Sequence, residues 1–320
     1  MNMAIEELAK LIKSAKSVTV FTHMRPDGDA VGSSLALSRA LEILGIPHEV
    51  CDETDIPSNL TFVGGVEKFK KQPELASELF VAVDCADVAR LGALAETFRL
   101  ANKKKTTVNI DHHVSNTRYA TYNFVRDCSS NTMNICLLIE AMGVPFDQKI
   151  ADYLMMGLLT DSGSFSHDDV TEETFLIAAK LVKAGADVGK LNSDLFKRQK
   201  KARAALYAHT MNRIRYVLDD RLAIITLPLE TLERFGADVG MTEGFVDFPL
   251  TVETVEVSAS IMEIKKGQYK ISLRSKTYAD VNGVAGTFGG GGHVRAAGCM
   301  LFGELEEVID RLTYAVYQYL

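Results

Sequence analysis

Four short segments of the chain carry aspartate or histidine: His23-Met24-Arg25-Pro26-Asp27-Gly28-Asp29, Val83-Asp84-Cys85, Ile110-Asp111-His112-His113 and Leu159-Thr160-Asp161-Ser162. Carboxylate oxygens with a minority of imidazoles suit Mn2+ or Mg2+, and two such ions clamp both oxygens of a phosphoryl displacement. Phosphate-ester hydrolysis is therefore the first chemistry these residues suggest. Charge counting agrees, because Asp27, Asp29, Asp84 and Asp161 together balance two divalent cations. One carboxylate must bridge if the ions are to sit about 3.5–4 Å apart.

Some of these residues also have a plainer reading. Pro26 and Gly28 oppose a regular helix, so the loop can turn Asp27 and Asp29 inward beside His23. Asp29 alone reads equally well as the N-cap of a helix beginning at Ala30. Asp84 alone is an ordinary strand-end acid. In Asp111-His112-His113 the adjacent imidazoles point in different directions, so one can ligate a cation while the other faces substrate. Asp161 closes a helix, where the dipole disfavours an anion and a nearby cation would explain it.

The elements that must position these residues follow from hydrophobic periodicity. Apolar, β-branched runs at 17–22, 48–51, 79–83 and 106–110 predict strands. Helical spacing at Val31, Leu35, Leu41 and Leu44 is stopped by Gly45 and Pro47, and Ile135, Leu138, Ile139 and Met142 mark another helix face. Residues 148–160 are apolar on two faces and predict a buried helix. A further helix at 171–185 runs from Thr171 to Gly185. Alternation of strand and helix predicts an α/β domain with a mostly parallel sheet flanked by helices. His23, Asp84 and Asp111 each follow the last apolar residue of a strand, and open α/β sheets bind ligands outside the carboxyl ends of their strands.

The second half changes character. Strands are predicted at 221–227, 254–264 and 269–274, with a Lys266-Gly267 turn between the last two. A short helix at 281–288 and a final helix at 304–318 complete a smaller α+β domain. The expected organisation is a catalytic domain over 1–186, a charged helical connector over 187–213, and a substrate-binding domain over 214–320. The basic run at 197–203 reads as a solvated helix face. Four glycines, then His293, Arg295 and Ala296-Ala297-Gly298, suggest close backbone approach to an anion. Successive N–H groups at Gly290, Gly291 and Gly292 would form a nest, with Arg295 and Arg274 as planar contacts. The alternative is a structural glycine turn.

Composition bounds the function. With 320 residues and 47% hydrophobic content, the chain exceeds one typical core and is expected to form two domains. A net charge of −7 argues against a bulk nucleic-acid coat while leaving room for a local basic pocket. No signal peptide and no apolar run near the roughly 20 residues of a membrane span are recognisable. The five cysteines are scattered and lack CxxC spacing, so a reduced, cytoplasmic setting is expected, with neither a disulfide framework nor structural zinc. His48, His167 and His209 are read as surface or core residues, the methionines as packing, and no cysteine as catalytic.

Taken in order, these residues resemble the DHH phosphoesterase superfamily, whose name-giving motif stands here as Asp111-His112-His113. The resemblance extends to HxxxDxD at 23–29, to Asp84, and to Asp161 before a Ser-Gly pair. The GGGGH run at 289–293 followed by Ala-Ala-Gly resembles the DHH-associated C-terminal domain. The nearest subgroup by resemblance is the bifunctional oligoribonuclease and phosphoadenosine-phosphate phosphatases. That resemblance implies a metal-dependent hydrolase acting on short RNA oligonucleotides or small nucleotides, with two divalent cations, Mn2+ ahead of Mg2+. It implies that His23, Asp27 and Asp84 bind one cation. Asp29, Asp84, His112 and Asp161 would bind the other, with Asp84 bridging. His113 would face the scissile phosphate, either stabilising its charge or protonating the leaving ribose oxygen. Asp111 would orient the histidines, and Arg274, Gly290, Gly291, Gly292 and His293 would hold the nucleotide. A homodimer is compatible with this reading.

Hydrolysis of a cyclic dinucleotide or its linear product is the main alternative. A non-catalytic nucleotide-binding regulator is another, and its mark would be a lost ligand, which this sequence does not show. Two stretches depart from the family pattern and bear on substrate preference. Asn131-Thr132-Met133-Asn134 replaces a small-Ser-Thr-x-Glu helix start, and Phe165-Ser166-His167-Asp168 replaces an aromatic- and Asn-containing stretch.

Overall fold

The computed structural model describes residues 2–320, and the chain divides into two compact units, Met1–Arg198 and Gln199–Leu320. The first unit is built on a six-stranded, wholly parallel sheet: β1 (Val18–Phe21), β2 (His48–Cys51), β3 (Phe69–Lys70), β4 (Leu79–Val83), β5 (Thr106–Asp111) and β6 (Tyr122–Val125). The spatial order is β3-β2-β1-β4-β5-β6, and Val20 lies between Val50 and Val81 in register.

Strand residues alternate between two cores, as a period of two requires. Val18, Val20, Val81, Val83, Val108 and Ile110 face the larger core. It is shared with α1 (Ile5–Ser14), α2 (Gly28–Ile43), α4 (Asn131–Ala141) and α5 (Gln148–Asp161). Phe21, Phe80 and Ala82 face the opposite side, where α3 (Leu94–Lys104) contributes Leu94, Ala95 and Phe98. The helices α6 (Glu172–Lys183) and α7 (Val188–Asn192) finish the unit. The sheet is therefore covered on both faces, which is why its strands read as continuous apolar runs.

The helix expected to start at Ala30 with Asp29 as N-cap begins earlier. Asp27 is the N-cap of α2, its Oδ1 accepting from the backbone N–H groups of Asp29 (3.1 Å) and Ala30 (3.0 Å). The Asp29 carboxylate is thereby free for other work.

α2 and α5 pack closely and antiparallel. A Cβ at Gly32 would strike the Tyr153 carbonyl, and one at Gly28 would strike the Thr160 side chain. Glycine at both positions lets the helices approach, and this brings the N-terminal end of α2 beside the C-terminal end of α5.

The second unit carries a mixed sheet of β7 (Arg215–Val217), β8 (Leu222–Leu227), β9 (Val257–Lys265), β10 (Gln268–Ser275), β11 (Gly291–His293) and β12 (Ala296–Phe302). Its order is β11-β12-β10-β9-β8-β7, antiparallel except for the β8–β9 pair. The accompanying helices are α8 (Lys201–Met211), α9 (Leu229–Phe235), α10 (Val281–Gly286) and α11 (Leu305–Tyr317). α10 and α11 close one core through Val281, Val284, Val308 and Leu312. Among the described residues no helix is long and apolar enough to cross a membrane.

Candidate metal centre

The parallel sheet creates one place where strand connections diverge. From β1 the chain proceeds to β2 and β3 on one side, and from β4 it proceeds to β5 and β6 on the other. The crevice beyond the carboxyl ends of β1 and β4 is thus the topological switch point, the usual ligand position in such sheets. His23 leaves β1 there, Asp84 leaves β4, and Asp111 ends β5. Asp84 adopts a left-handed φ of 52°, a conformation that costs an ordinary residue about 1–3 kcal/mol and is typical of functional sites. It turns the chain sharply at the strand end.

The Asp84 carboxylate faces two clusters. On one side, His23 Nε2 lies 3.6 Å from Asp84 Oδ2 and 3.7 Å from Asp27 Oδ2. On the other, His112 Nε2 lies 3.4 Å from Asp84 Oδ1, 3.4 Å from Asp161 Oδ2 and 3.8 Å from Asp29 Oδ2. Among the described residues, His23 Nε2 and Asp84 Oδ1 are buried without a hydrogen-bond partner, an arrangement that is costly unless a cation or proton completes it. The Nδ1 atoms of His23 and His112 lie 3.1 Å and 2.8 Å from the carbonyls of Met24 and Cys128. A carbonyl only accepts, so each Nδ1 carries hydrogen and each Nε2 is directed at the carboxylates. These donor sets fit hard divalent cations.

Asp29 is fully buried and held by the N-terminus of α4. Its Oδ1 accepts from Ser130 Oγ (2.8 Å) and the Thr132 N–H (2.8 Å), and its Oδ2 accepts from the Asn131 N–H (2.5 Å). A helix N-terminus is suited to an anion. The departure at 131–134 therefore leaves the backbone grip intact, and Asn134 Nδ2 adds a bond to the Asp111 carbonyl (3.1 Å). Gly157 of α5 makes room for this carboxylate, since a Cβ there would come within 2.7 Å of Asp29 Oδ1.

The crowded charges perturb one another. Burial, reinforced by the Asp84 charge, raises the Asp29 carboxyl above its ordinary range. Burial and then the charges of Asp29 and Asp84 raise Asp161 strongly. Burial alone would lower His23 and His112, but the neighbouring carboxylates outweigh it and push both imidazoles up to about 10. Burial opposes ionisation of Asp84, yet the two imidazoles hold its carboxyl well below the usual range. Without cations the site thus retains protons in their place.

His112 and His113 are distinguished by exposure. The His112 side chain is 13% exposed and that of His113 is 32%, so His113 is the more open of the two. Asp111 was expected to orient both, but its Oδ1 lies 2.8 Å from His113 Nδ1 alone, while the Cys128 carbonyl holds His112.

Several supporting residues escaped sequence reasoning. Ser130, the amides of Asn131 and Thr132, Gly157 and the Cys128 carbonyl carry no motif of their own. His167, read as a surface or core residue, has Nδ1 2.6 Å from the Asp161 carbonyl and closes the loop after that residue.

In the second unit, Gly290, Gly291, Gly292, His293 and Arg295 stand together on or beside the exposed edge strand β11, and β10 carries Arg274. The expected backbone nest is not formed. The N–H groups of Gly289, Gly290 and Gly292 are used by the Gly286 carbonyl (3.0 Å), the Ala285 carbonyl (2.9 Å) and Asn282 Oδ1 (2.8 Å). A Cβ at Gly290 would meet Cys299 Cα at 2.8 Å and one at Gly292 would meet Ala297 Cα at 2.7 Å, so both glycines are needed for packing on β12. Gly291 has only Asn282 Oδ1, 3.7 Å away, and no left-handed φ. Arg295 donates to the Ala279 carbonyl (2.9 Å), and Arg274 Nε lies 3.3 Å from Asp247 Oδ1. Anion contacts on this surface would therefore come from side chains, with Gly291 alone of the three glycines leaving room for close backbone approach.

Comparison with known proteins places these features in a family. Residues 17–158 match the DHH family N-terminal domain, and residues 220–320 match the DHHA1 domain. The chain is 31% identical over 319 residues to the bifunctional oligoribonuclease and PAP phosphatase NrnA of Thermus thermophilus, covering 97% of this chain and 92% of that one. It is 23% identical to the NrnA of Bacillus subtilis, covering 92% and 93% of the two chains. Among solved structures, an exopolyphosphatase-related protein from Bacteroides fragilis superposes with a TM-score of 0.90 at 25% identity, covering 98% of this chain and 96% of its own. The exonuclease RecJ bound to manganese shares the fold with a TM-score of 0.55 at 17% identity, over 99% of this chain and 94% of its own.

Proposed function

The chain belongs to the DHH family of phosphoester hydrolases, and from that membership we propose that it cleaves short oligoribonucleotides to mononucleotides and converts 3′-phosphoadenosine 5′-phosphate to AMP. The observation that carries the reading is the Asp84 carboxylate, buried at the switch point with one oxygen toward each cluster of histidine and aspartate. His23, Asp27 and Asp84 would hold one cation. Asp29, Asp84, His112 and Asp161 would hold the second. Bound there, divalent cations supply activation of water and neutralisation of phosphate charge. Mn2+ is favoured over Mg2+ because two imidazoles stand among the oxygen donors.

The chain's own groups do the rest. Asp29 is fixed by three donors from the start of α4, and His112 by a carbonyl, so the donor sets are organised before substrate arrives. His113 has Nδ1 committed to Asp111, leaving Nε2 as the nitrogen available to the scissile phosphate or its leaving oxygen. In the second unit, Arg274, Gly291 and His293 would contact the nucleotide. The unpaired cysteines accord with a cytoplasmic setting.

The test is a substrate panel with Mn2+ containing di- to pentaribonucleotides, 3′-phosphoadenosine 5′-phosphate, cyclic di-AMP, linear di-adenylate and pyrophosphate. Mononucleotides and AMP as the main products support the proposal. Turnover confined to pyrophosphate or to the cyclic dinucleotide overturns it.

A further inference from the structure

Behind His113 lies a closed set of polar side chains. Asn109 and Asp111 are two residues apart on β5, so they share a face of the sheet. Both are completely buried. Asn116 reaches them from the turn after the two histidines, its own N–H bonding the His113 carbonyl at 3.1 Å. Its Nδ2 donates to Asp111 Oδ2 (2.5 Å) and to Asn109 Oδ1 (2.7 Å). Its Oδ1 accepts from the Arg118 N–H (2.7 Å). An amide nitrogen has two hydrogens, and both find acceptors here. Asn109 is anchored in turn, its Nδ2 donating to the Cys85 carbonyl (3.1 Å) and to Tyr119 Oη (3.2 Å). Tyr119 Oη itself donates to the Cys85 carbonyl (3.1 Å).

We infer that Asn116 is a positioning residue for His113, acting through the Asp111 carboxylate. A carboxylate gripped at one oxygen only can rotate and present either oxygen. With Asn116 on Oδ2, Oδ1 stays on the His113 Nδ1–H, which fixes both the ring plane and the tautomer with Nε2 open. Asn116 touches neither the carboxylates that face the cations nor the open side of His113. Its side chain reaches the His113 ring through the chain Asn116–Asp111–His113, while its remaining bonds, to the His113 and Cys85 carbonyls and to Asn109, hold backbone and scaffold. This inference rests on His113 as the residue facing substrate.

Asn116→Asp separates positioning from simple turn stabilisation. The aspartate keeps the acceptor for the Arg118 N–H, so the turn is held, but it replaces the donor to Asp111 and Asn109 with a second carboxylate. With Mn2+ and bis-p-nitrophenyl phosphate, kcat should fall by at least about tenfold, the loss expected when one hydrogen bond to a charged group is removed. KM and bound cation should stay within about twofold. In a His113→Ala background the same change should have no further effect, because the residue it positions is gone. Selective 15N-histidine spectra of the metal-free full chain give a second readout that needs no turnover. The wild-type His113 signal should report a single Nδ1–H tautomer, and Asn116→Asp should report a mixture. Asn116→Ala, which loses the turn acceptor as well, should match Asn116→Asp in kcat while melting at a lower temperature. An unchanged tautomer with unchanged kcat overturns the inference, as does an equal loss of activity in the His113→Ala background. If the wild-type chain shows no metal-dependent hydrolysis, the proposed function fails, and the tautomer spectra still decide the role of Asn116.

Discussion

Replacing Gly157 by alanine should damage the proposed cation site through Asp29. The new Cβ would overlap the Thr132 methyl and sit 2.7 Å from Asp29 Oδ1 and 2.9 Å from Asp29 Cα. Alanine gains about 1 kcal/mol of helix propensity over glycine. Overpacking of a tight interior costs about 1–3 kcal/mol. One of the crowded atoms is backbone and cannot swing aside, so the upper end applies and the net destabilisation is about 2 kcal/mol. The carboxylate must also move off its three donors on α4. Losing one such charge-assisted bond costs about 1.5–3 kcal/mol, which is about tenfold or more in cation affinity. Thermal or urea denaturation gives the first quantity, and Mn2+ titration followed by EPR gives the second. Adding Thr132→Ser removes the nearest methyl and should recover part of the stability. It should not recover the cation affinity, because the contact with Asp29 remains. A folded Gly157→Ala variant that binds Mn2+ within about twofold of wild type would show that Asp29 is not a ligand held by this packing.

Other outcomes follow from the same geometry. His113→Ala should lower kcat by about a hundredfold, as loss of a proton-handling group does, with cation content unchanged, whereas His112→Ala should weaken cation binding. Metal titration of both variants checks this, and the opposite pattern reverses the two roles. Because His23 and His112 are pushed up to about 10 in the ion-free site, above the ordinary 6.5, they hold protons at pH 7 that cations must displace. Cation affinity should therefore rise with pH from about 7 toward 10, with release of about three protons, because Asp161, strongly raised by burial and the charges of Asp29 and Asp84, is protonated as well. Calorimetry in buffers of different ionisation enthalpy measures the release, and buffer-independent heats would contradict it. Gly291→Ala should leave the fold unaltered, since its Cβ would meet only Asn282 Oδ1, at an ordinary contact distance of 3.7 Å. Together with Arg274→Ala, it should reduce nucleotide hydrolysis by about tenfold while sparing bis-p-nitrophenyl phosphate. Equal loss on both substrates would show that these residues shape the catalytic centre itself.

What sequence revealed and what it hid have physical causes. His23, Asp84 and Asp111 were legible because each ends an apolar run, and a parallel sheet aligns its carboxyl ends whatever the intervening loops. The buried helix ending in Asp161 was legible from its two apolar faces. The grip on Asp29 was not, because two of its three donors are backbone amides about a hundred residues away, and a backbone N–H has no letter in the sequence. The N-cap role fell to Asp27 and not Asp29 because the Pro26 turn lets the helix start at Gly28, two residues earlier than the apolar pattern suggests. The glycine run was correctly singled out but not correctly explained. Gly290 and Gly292 serve the packing of β11 on β12, and only Gly291 lacks a structural reason for glycine. β6 was missed because its four residues include the buried Asn123, which breaks the apolar pattern.

The central claim is that Asp84 joins two cations into one hydrolytic centre. Metal content by mass spectrometry, measured with turnover of a diribonucleotide for the wild-type chain and Asp84→Ala, tests it most directly. Two Mn2+ per wild-type chain, and joint loss of both ions and of turnover in Asp84→Ala, are the predicted results. Retention of two ions with near-normal turnover in the variant would contradict the account.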